Sequence, residues 1–180
     1  MNIKDKKIVI VDIETSGLYC GDETKNSASI LYVDATKIDD ACIESSYFSF
    51  VACEEQLSSA ITTLTGIDNK TLIGAPTCQT VLQQLKDFTE GYTVYARGPG
   101  FINGFLSYYS KMYGIKTNYA VEECYDKISS LLNYRYIKGI LQLYNIKEEE
   151  HESLTYANLL LKINHNRFIE QILDMDIMKL

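Results

Sequence analysis

Residues 8 to 18 read IVIVDIETSGL, and the reading of this stretch decides the fold. Four β-branched residues in succession, Ile8 to Val11, lead directly into two carboxylates, Asp12 and Glu14, set two positions apart. A run that is apolar at every position predicts a strand buried on both faces, the central kind that helices cover. Side chains alternate along a strand, so Ile8, Ile10, Asp12 and Glu14 share one face, with the backbones of the two acids about 7 Å apart. The longer Glu arm then lets both carboxylates meet at one point. Two like charges at the end of a buried strand repel each other and resist desolvation, so they need a positive or strongly donating partner, most directly a divalent cation. The alternative is that the strand has already left the core by Asp12, with both acids solvated or capping the turn at Thr15-Ser16-Gly17.

The phrase Asp12-Ile13-Glu14-Thr15-Ser16-Gly17-Leu18, behind an Ile/Val strand, closely resembles the first motif of the DEDD (DnaQ-like) 3'-to-5' exonucleases, which fold like ribonuclease H. The resemblance implies that Asp12 and Glu14 bind catalytic Mg²⁺ or Mn²⁺ and that Thr15 and Leu18 touch the terminal nucleotide.

At 180 residues the chain suits one domain, 1–180, with a substantial core. Its net charge of −7 argues against an extended grip on duplex DNA, which relies on many Lys and Arg contacts to phosphate. A short single-stranded 3' end or a nucleotide remains a suitable ligand, as does a protein partner. Five scattered cysteines without a C-x-x-C pair point away from a disulfide framework or a zinc site and towards a reducing compartment. The polar start MNIKDKK and the lack of a long apolar run lead us to expect a cytoplasmic protein with no membrane span.

Downstream, residues 28–35 and 41–52 read as strands around a turn at Ile38-Asp39-Asp40, forming an antiparallel meander with the first strand. A helical turn at 61–67 and an amphipathic helix through Val81, Leu82, Leu85 and Phe88 follow, then a strand at 92–97 and a helix at 101–114. A strand at 119–125 and helices near 126–133, 135–144, 152–163 and 166–178 complete the pattern. This order predicts an α/β fold, a mixed five-stranded sheet flanked by helices, the ribonuclease H-like layout that the resemblance also implies.

The remaining motifs depart from the family's. After its fourth strand the family carries a metal-binding Asp between a Phe and a later Phe-Leu pair. Phe101, Phe105 and Leu106 fit that phrase, but Ile102 stands at the Asp position, and residues 91 to 121 contain no Asp or Glu. Asn103 offers only a neutral oxygen, a poor ligand for a hard ion. The family's histidine branch has a general-base His, then a metal-binding Asp five residues on; here His151 stands at the first position and Tyr156 at the second. Glu152 and, remotely, Asp126 are substitute ligands to consider, although an acid at a helix start is also favoured by the dipole alone. Arg97, at the tip of the strand expected beside the first, is placed to bring a guanidinium to Asp12 and Glu14, or else to face solvent.

With two of four metal carboxylates missing, at most one weakly held ion is expected. Residues that act as a unit lose most of the rate when one is lost. The sequence therefore reads as an exonuclease-like protein, impaired or inactive, that binds nucleic acid, a nucleotide or a protein. The alternative is an active metal-dependent 3'-5' exonuclease with non-standard ligands.

Overall fold

A computed structural model of the chain describes residues 3, 5–21, 27–117, 131, 135, 137–149 and 151–164. The described elements are β1 (Ile8–Thr15), β2 (Ile30–Asp39), β3 (Cys42–Phe50), α1 (Ser59–Thr65), α2 (Cys78–Thr89), β4 (Thr93–Tyr95), α3 (Pro99–Met112), α4 (Ile137–Leu143) and α5 (Glu152–Asn164). Among the described residues the sheet has four strands, not five, in the order β3-β2-β1-β4. The expected strand at 119–125, the helix at 166–178 and nearly all of 126–133 lie outside the described residues.

β1 pairs antiparallel with β2 and parallel with β4, so it is central, as its unbroken apolar run requires. Ile8 and Ile10 pack on one face against Leu141, Ala157 and Leu160 of α4 and α5. Val9, Val11 and Ile13 pack on the other against Leu82, Leu85, Phe105 and Leu106 of α2 and α3. Each face of the strand thus contributes to a separate apolar layer, and neither leaves room for water until the strand reaches Asp12.

The β2–β3 turn lies slightly beyond its expected position. β2 continues to Asp39, and the chain reverses at Asp40 and Ala41, both at positive φ, 46° and 59°. Two successive residues in the left-handed region match the right-handed twist of the flanking strands. This turn sets the β2–β3 register, and the β1–β2 pairing then aligns Asp12 with Asp34 and Glu14 with Tyr32.

α5 crosses the face of the sheet that carries the acids. Its first turn is fixed to β2 by two buried hydrogen bonds: the Ser153 backbone N–H donates to Asp34 Oδ1 at 3.1 Å, and the Ser153 and Thr36 hydroxyls meet at 2.8 Å. The start of α5 is thereby held at the carboxyl end of β1. Among the described residues no helix is long and apolar enough to cross a membrane.

Candidate active site

The even-numbered side chains of β1, β2 and β3 form two rows across one sheet face. The register puts Asp12, Asp34 and Phe48 in the first row and Glu14, Tyr32 and Phe50 in the second. His151 and Glu152 come down on these rows from the start of α5, and the end of α1 with the residues after it, Thr65 to Ile67 and Thr71, closes the side. Together they line a cavity of about 500 Å³.

Four carboxylates face this cavity: Asp12, Glu14, Asp34 and Glu152. Their electrostatics record the crowding. Burial first, then the charges of Glu152, Asp34 and Glu14, push the Asp12 carboxyl up to about 8. Glu14 is raised by burial and by Glu152 and Asp34. Asp34 is raised by burial, against the opposing pull of its bonds to Ser153 and of His151. Asp12, Glu14 and Asp34 are thus all raised, and a cation in the cavity is the species that would relieve them.

His151 is held on two sides. Its Nδ1 is hydrogen-bonded to the Tyr32 hydroxyl, and its ring stacks on Phe48 with centroids 4.4 Å apart and an interplanar angle of 18°. The Tyr32 bond occupies one ring nitrogen and, with the stack on Phe48, fixes the ring's orientation.

Arg97 is exposed, as the solvent-facing expectation has it, and its charge also acts on Asp12 and Glu152. Its Nη1 donates to the Tyr156 hydroxyl at 3.0 Å, at the position where the family has its last Asp. Burial works against the guanidinium charge, but Tyr156, Glu152 and Asp12 outweigh it and hold its pKa up. Tyr156, buried in the α5 layer, thus brings a fixed positive charge towards the acids.

The other positions singled out in the sequence lie elsewhere. Ile102 is buried in the α2/α3 layer, on the opposite face of the sheet from the acids. Asn103 does not line the cavity. Thr15 turns its hydroxyl to the Gly17 carbonyl at 2.6 Å, and Leu18 projects into solvent, 70% exposed. Asp126 lies outside the described residues.

Sequence reasoning missed Asp34, Tyr32, Phe48 and Phe50. The alternation of β2 and β3 carries the signal, but facing the acids depends on the β1–β2 register for Asp34 and Tyr32 and on the β2–β3 register for Phe48 and Phe50. Glu152, a substitute ligand in the sequence, does line the cavity. Its position, four residues before Tyr156, places it one turn earlier on the same helix face.

Comparison with known proteins decides the family. The exonuclease family model of RNase T matches residues 9–165. The chain belongs to the RNase T exonuclease family. Within that family, it is 27% identical over 149 residues, 81% of this chain, to the PolC-type DNA polymerase III of Caldanaerobacter subterraneus subsp. tengcongensis. It is likewise 27% identical over 161 residues, 86% of this chain, to the PolC-type polymerase of Staphylococcus epidermidis. The chain spans only 10% and 11% of the length of these two relatives.

Among solved structures, the nuclease domain of 3'hExo, a DEDDh family member bound to rAMP, superposes with a TM-score of 0.63 at 18% identity, covering 91% of this chain and 92% of that one. A product-bound exonuclease I gives a TM-score of 0.69 at 9% identity over 96% of this chain and 46% of that one. The fold is that of the ribonuclease H-like exonucleases.

Exonucleases of this family imply divalent metal ions, and the donor set suits one such ion. Carboxylate oxygens are the ligands hard divalent cations take, and four of them line one cavity. Among the described residues, however, no three His, Cys, Asp or Glu side chains are drawn together as a ready-made cage.

Proposed function

We propose that this family member binds a nucleic-acid 3' end in the carboxylate cavity and hydrolyses the terminal phosphodiester slowly, using a single Mg²⁺ or Mn²⁺. The observation that carries this reading is the gathering of Asp12, Glu14, Asp34 and Glu152 around one cavity, with His151 at its edge. Asp34 and Glu152 would replace the two carboxylates missing at Ile102 and Tyr156. One enters from the strand beside β1 and the other from one helical turn before Tyr156. An ion held there would polarise the phosphoryl group and activate water. Arg97 would supply the second positive charge, with a planar fork of donors matched to phosphate oxygens. His151, fixed through Nδ1 by Tyr32, would take the water proton on Nε2.

The nucleic-acid ligand is supported by the fold neighbours, one of which holds rAMP. Nothing of the polymerases' wider activity is carried over, because the chain matches so little of their length. The scattered thiols, free at Cys20, Cys42, Cys53 and Cys78, suit a reducing cytoplasm. A second reading keeps the binding and drops the hydrolysis. It is favoured by the loss of both family acids at Ile102 and Tyr156.

The deciding experiment incubates 5'-labelled single-stranded DNA and RNA with the protein and Mg²⁺ or Mn²⁺, beside an Asp12→Asn/Glu14→Gln variant. Shortening from the 3' end by wild type alone is expected; equal inertness with retained binding would leave only the second reading. In the same assay Arg97→Ala is expected to slow cleavage by about 100-fold, as for removal of an oriented charge-stabilising donor, and Arg97→Lys to recover part of it. An Arg97→Ala enzyme of wild-type rate would remove Arg97 from the mechanism.

A further inference from the structure

The carboxyl end of β1 carries Glu14, yet the sheet holds this end least. The parallel ladder to β4 covers Ile8 to Ile10 only. On the β2 side the register shifts immediately after Glu14, which pairs with Tyr32 while Thr15 pairs with Ile30, so Leu31 is an extra residue on β2. Such a bulge interrupts the ladder and lets the strands bend. Glu14 therefore sits on the last regular rung, where burial and the charges of Glu152 and Asp34 all oppose its ionised form. The group that fastens this end is Glu55, an exposed acid on the segment that follows β3. Its Oε1 accepts from the Ser16 hydroxyl at 2.6 Å. Ser16 Oγ in turn accepts from the Ser29 N–H at 2.8 Å, and the Ser16 N–H donates to the Ser29 carbonyl at 2.9 Å. We infer that Glu55 is a positioning residue: it clasps the end of β1 to the segment that walls the cavity, and so fixes where Glu14 presents its carboxylate to the ion.

This role rests on the single-ion reading above and adds to it a residue outside the cavity. Burial works to raise the Glu55 carboxyl, but donation by Ser16, Ser29 and Cys53 outweighs it and holds the group below the usual carboxylate range. The clasp is therefore a charge-assisted one, the stronger kind of hydrogen bond. From the other side, the Glu55 carbonyl accepts from Asn69 Nδ2 at 2.8 Å, and Asn69 Oδ1 accepts from the Leu57 N–H at 2.9 Å. The bulge residue Leu31 packs with Leu57, Ile67 and Leu72 of the same segment in one small apolar cluster. That segment also supplies the cavity wall at Thr65 to Ile67 and Thr71. A ligand on a loosely held strand end must be ordered when the ion binds, and a clasp made beforehand removes that cost.

The test reads Mn²⁺ affinity by electron paramagnetic resonance titration, with thermal melts of every variant. Glu55→Ala is expected to weaken Mn²⁺ binding about 10-fold, as for loss of a group that orients a metal ligand. Glu55→Gln removes the same charge but keeps an oxygen acceptor for Ser16, and is expected to stay within about 3-fold of wild type. Ser16→Ala breaks the clasp from its other side and should match Glu55→Ala. In a Glu14→Gln background, where three carboxylates remain for the ion, adding Glu55→Ala should cost nothing further, because residues that act through one group are not additive. Glu55→Gln as weak as Glu55→Ala would make the effect one of charge and overturn the clasp. The full loss persisting in the Glu14→Gln background would overturn it too. Wild-type affinity in Glu55→Ala would overturn the clasp and leave the single-ion site standing. A wild type that binds no Mn²⁺ would overturn both.

Discussion

Asp12→Asn is expected to stabilise the metal-free protein at pH 8.5 while abolishing its response to Mn²⁺. The sign follows from the direction of the shift. The Asp12 carboxyl is held at about 8 in the folded chain, chiefly by burial and then by Glu152, Asp34 and Glu14, against 3.8 for an unperturbed Asp. The folded state therefore binds more protons than the unfolded state between those values, and stability falls as pH rises from about 4 to about 8 before levelling off. Asn carries no charge to bury, so the variant loses this contribution to the slope. Glu14, also raised, keeps part of the slope in place. A gain of roughly 2–3 kcal/mol at pH 8.5, well inside the full shift, corresponds to about 5–10 °C in Tm for a chain of this size. With excess Mn²⁺ the order reverses, because wild type gains binding free energy that the variant has lost. Scanning calorimetry across pH 5 to 9, with and without Mn²⁺, checks both halves. A variant less stable than wild type at pH 8.5 would mean that Asp12 is compensated in the folded protein.

The second large effect is expected from Asp34→Asn combined with Glu152→Gln. If these acids complete the ion's coordination, the pair should lose about 100-fold in Mn²⁺ affinity while the fold persists, since each substitution is isosteric. Asn at 34 can still accept from the Ser153 N–H, which keeps the start of α5 attached to β2. Glu152 lies in the first turn of a helix, where its charge is mildly favourable, so Gln there costs well under about 1 kcal/mol. Loss of ion binding without loss of Tm would separate a ligand role from a structural one. Affinity equal to wild type would leave Asp12 and Glu14 as the whole site.

The central strand and its two layers of helices were legible because Ile8 to Val11 admit no exposed face, and the Asp12/Glu14 spacing placed both acids on one side. The meander was legible too, from two β-rich runs around a turn. What escaped depended on register. Asp34 reads in sequence as one acid within a strand, and only the β1–β2 pairing brings it opposite Asp12. The family's spacing points to position 156, whereas a helix offers an equivalent position one turn earlier, at Glu152. Arg97 was placed at the right strand end, but its partner Tyr156 had been counted only as a missing acid. A hydroxyl that anchors a guanidinium is invisible when the position is judged by what it lacks.

The most direct measurement is the Mn²⁺ stoichiometry by electron paramagnetic resonance titration of wild type and of the Asp12→Asn and Asp34→Asn/Glu152→Gln variants. One ion per chain is expected, lost in the first variant and strongly weakened in the second. Two ions bound to wild type, or none, or one ion indifferent to Asp34 and Glu152, would contradict a single-cation site built from Asp12 and Glu14 with two relocated carboxylates.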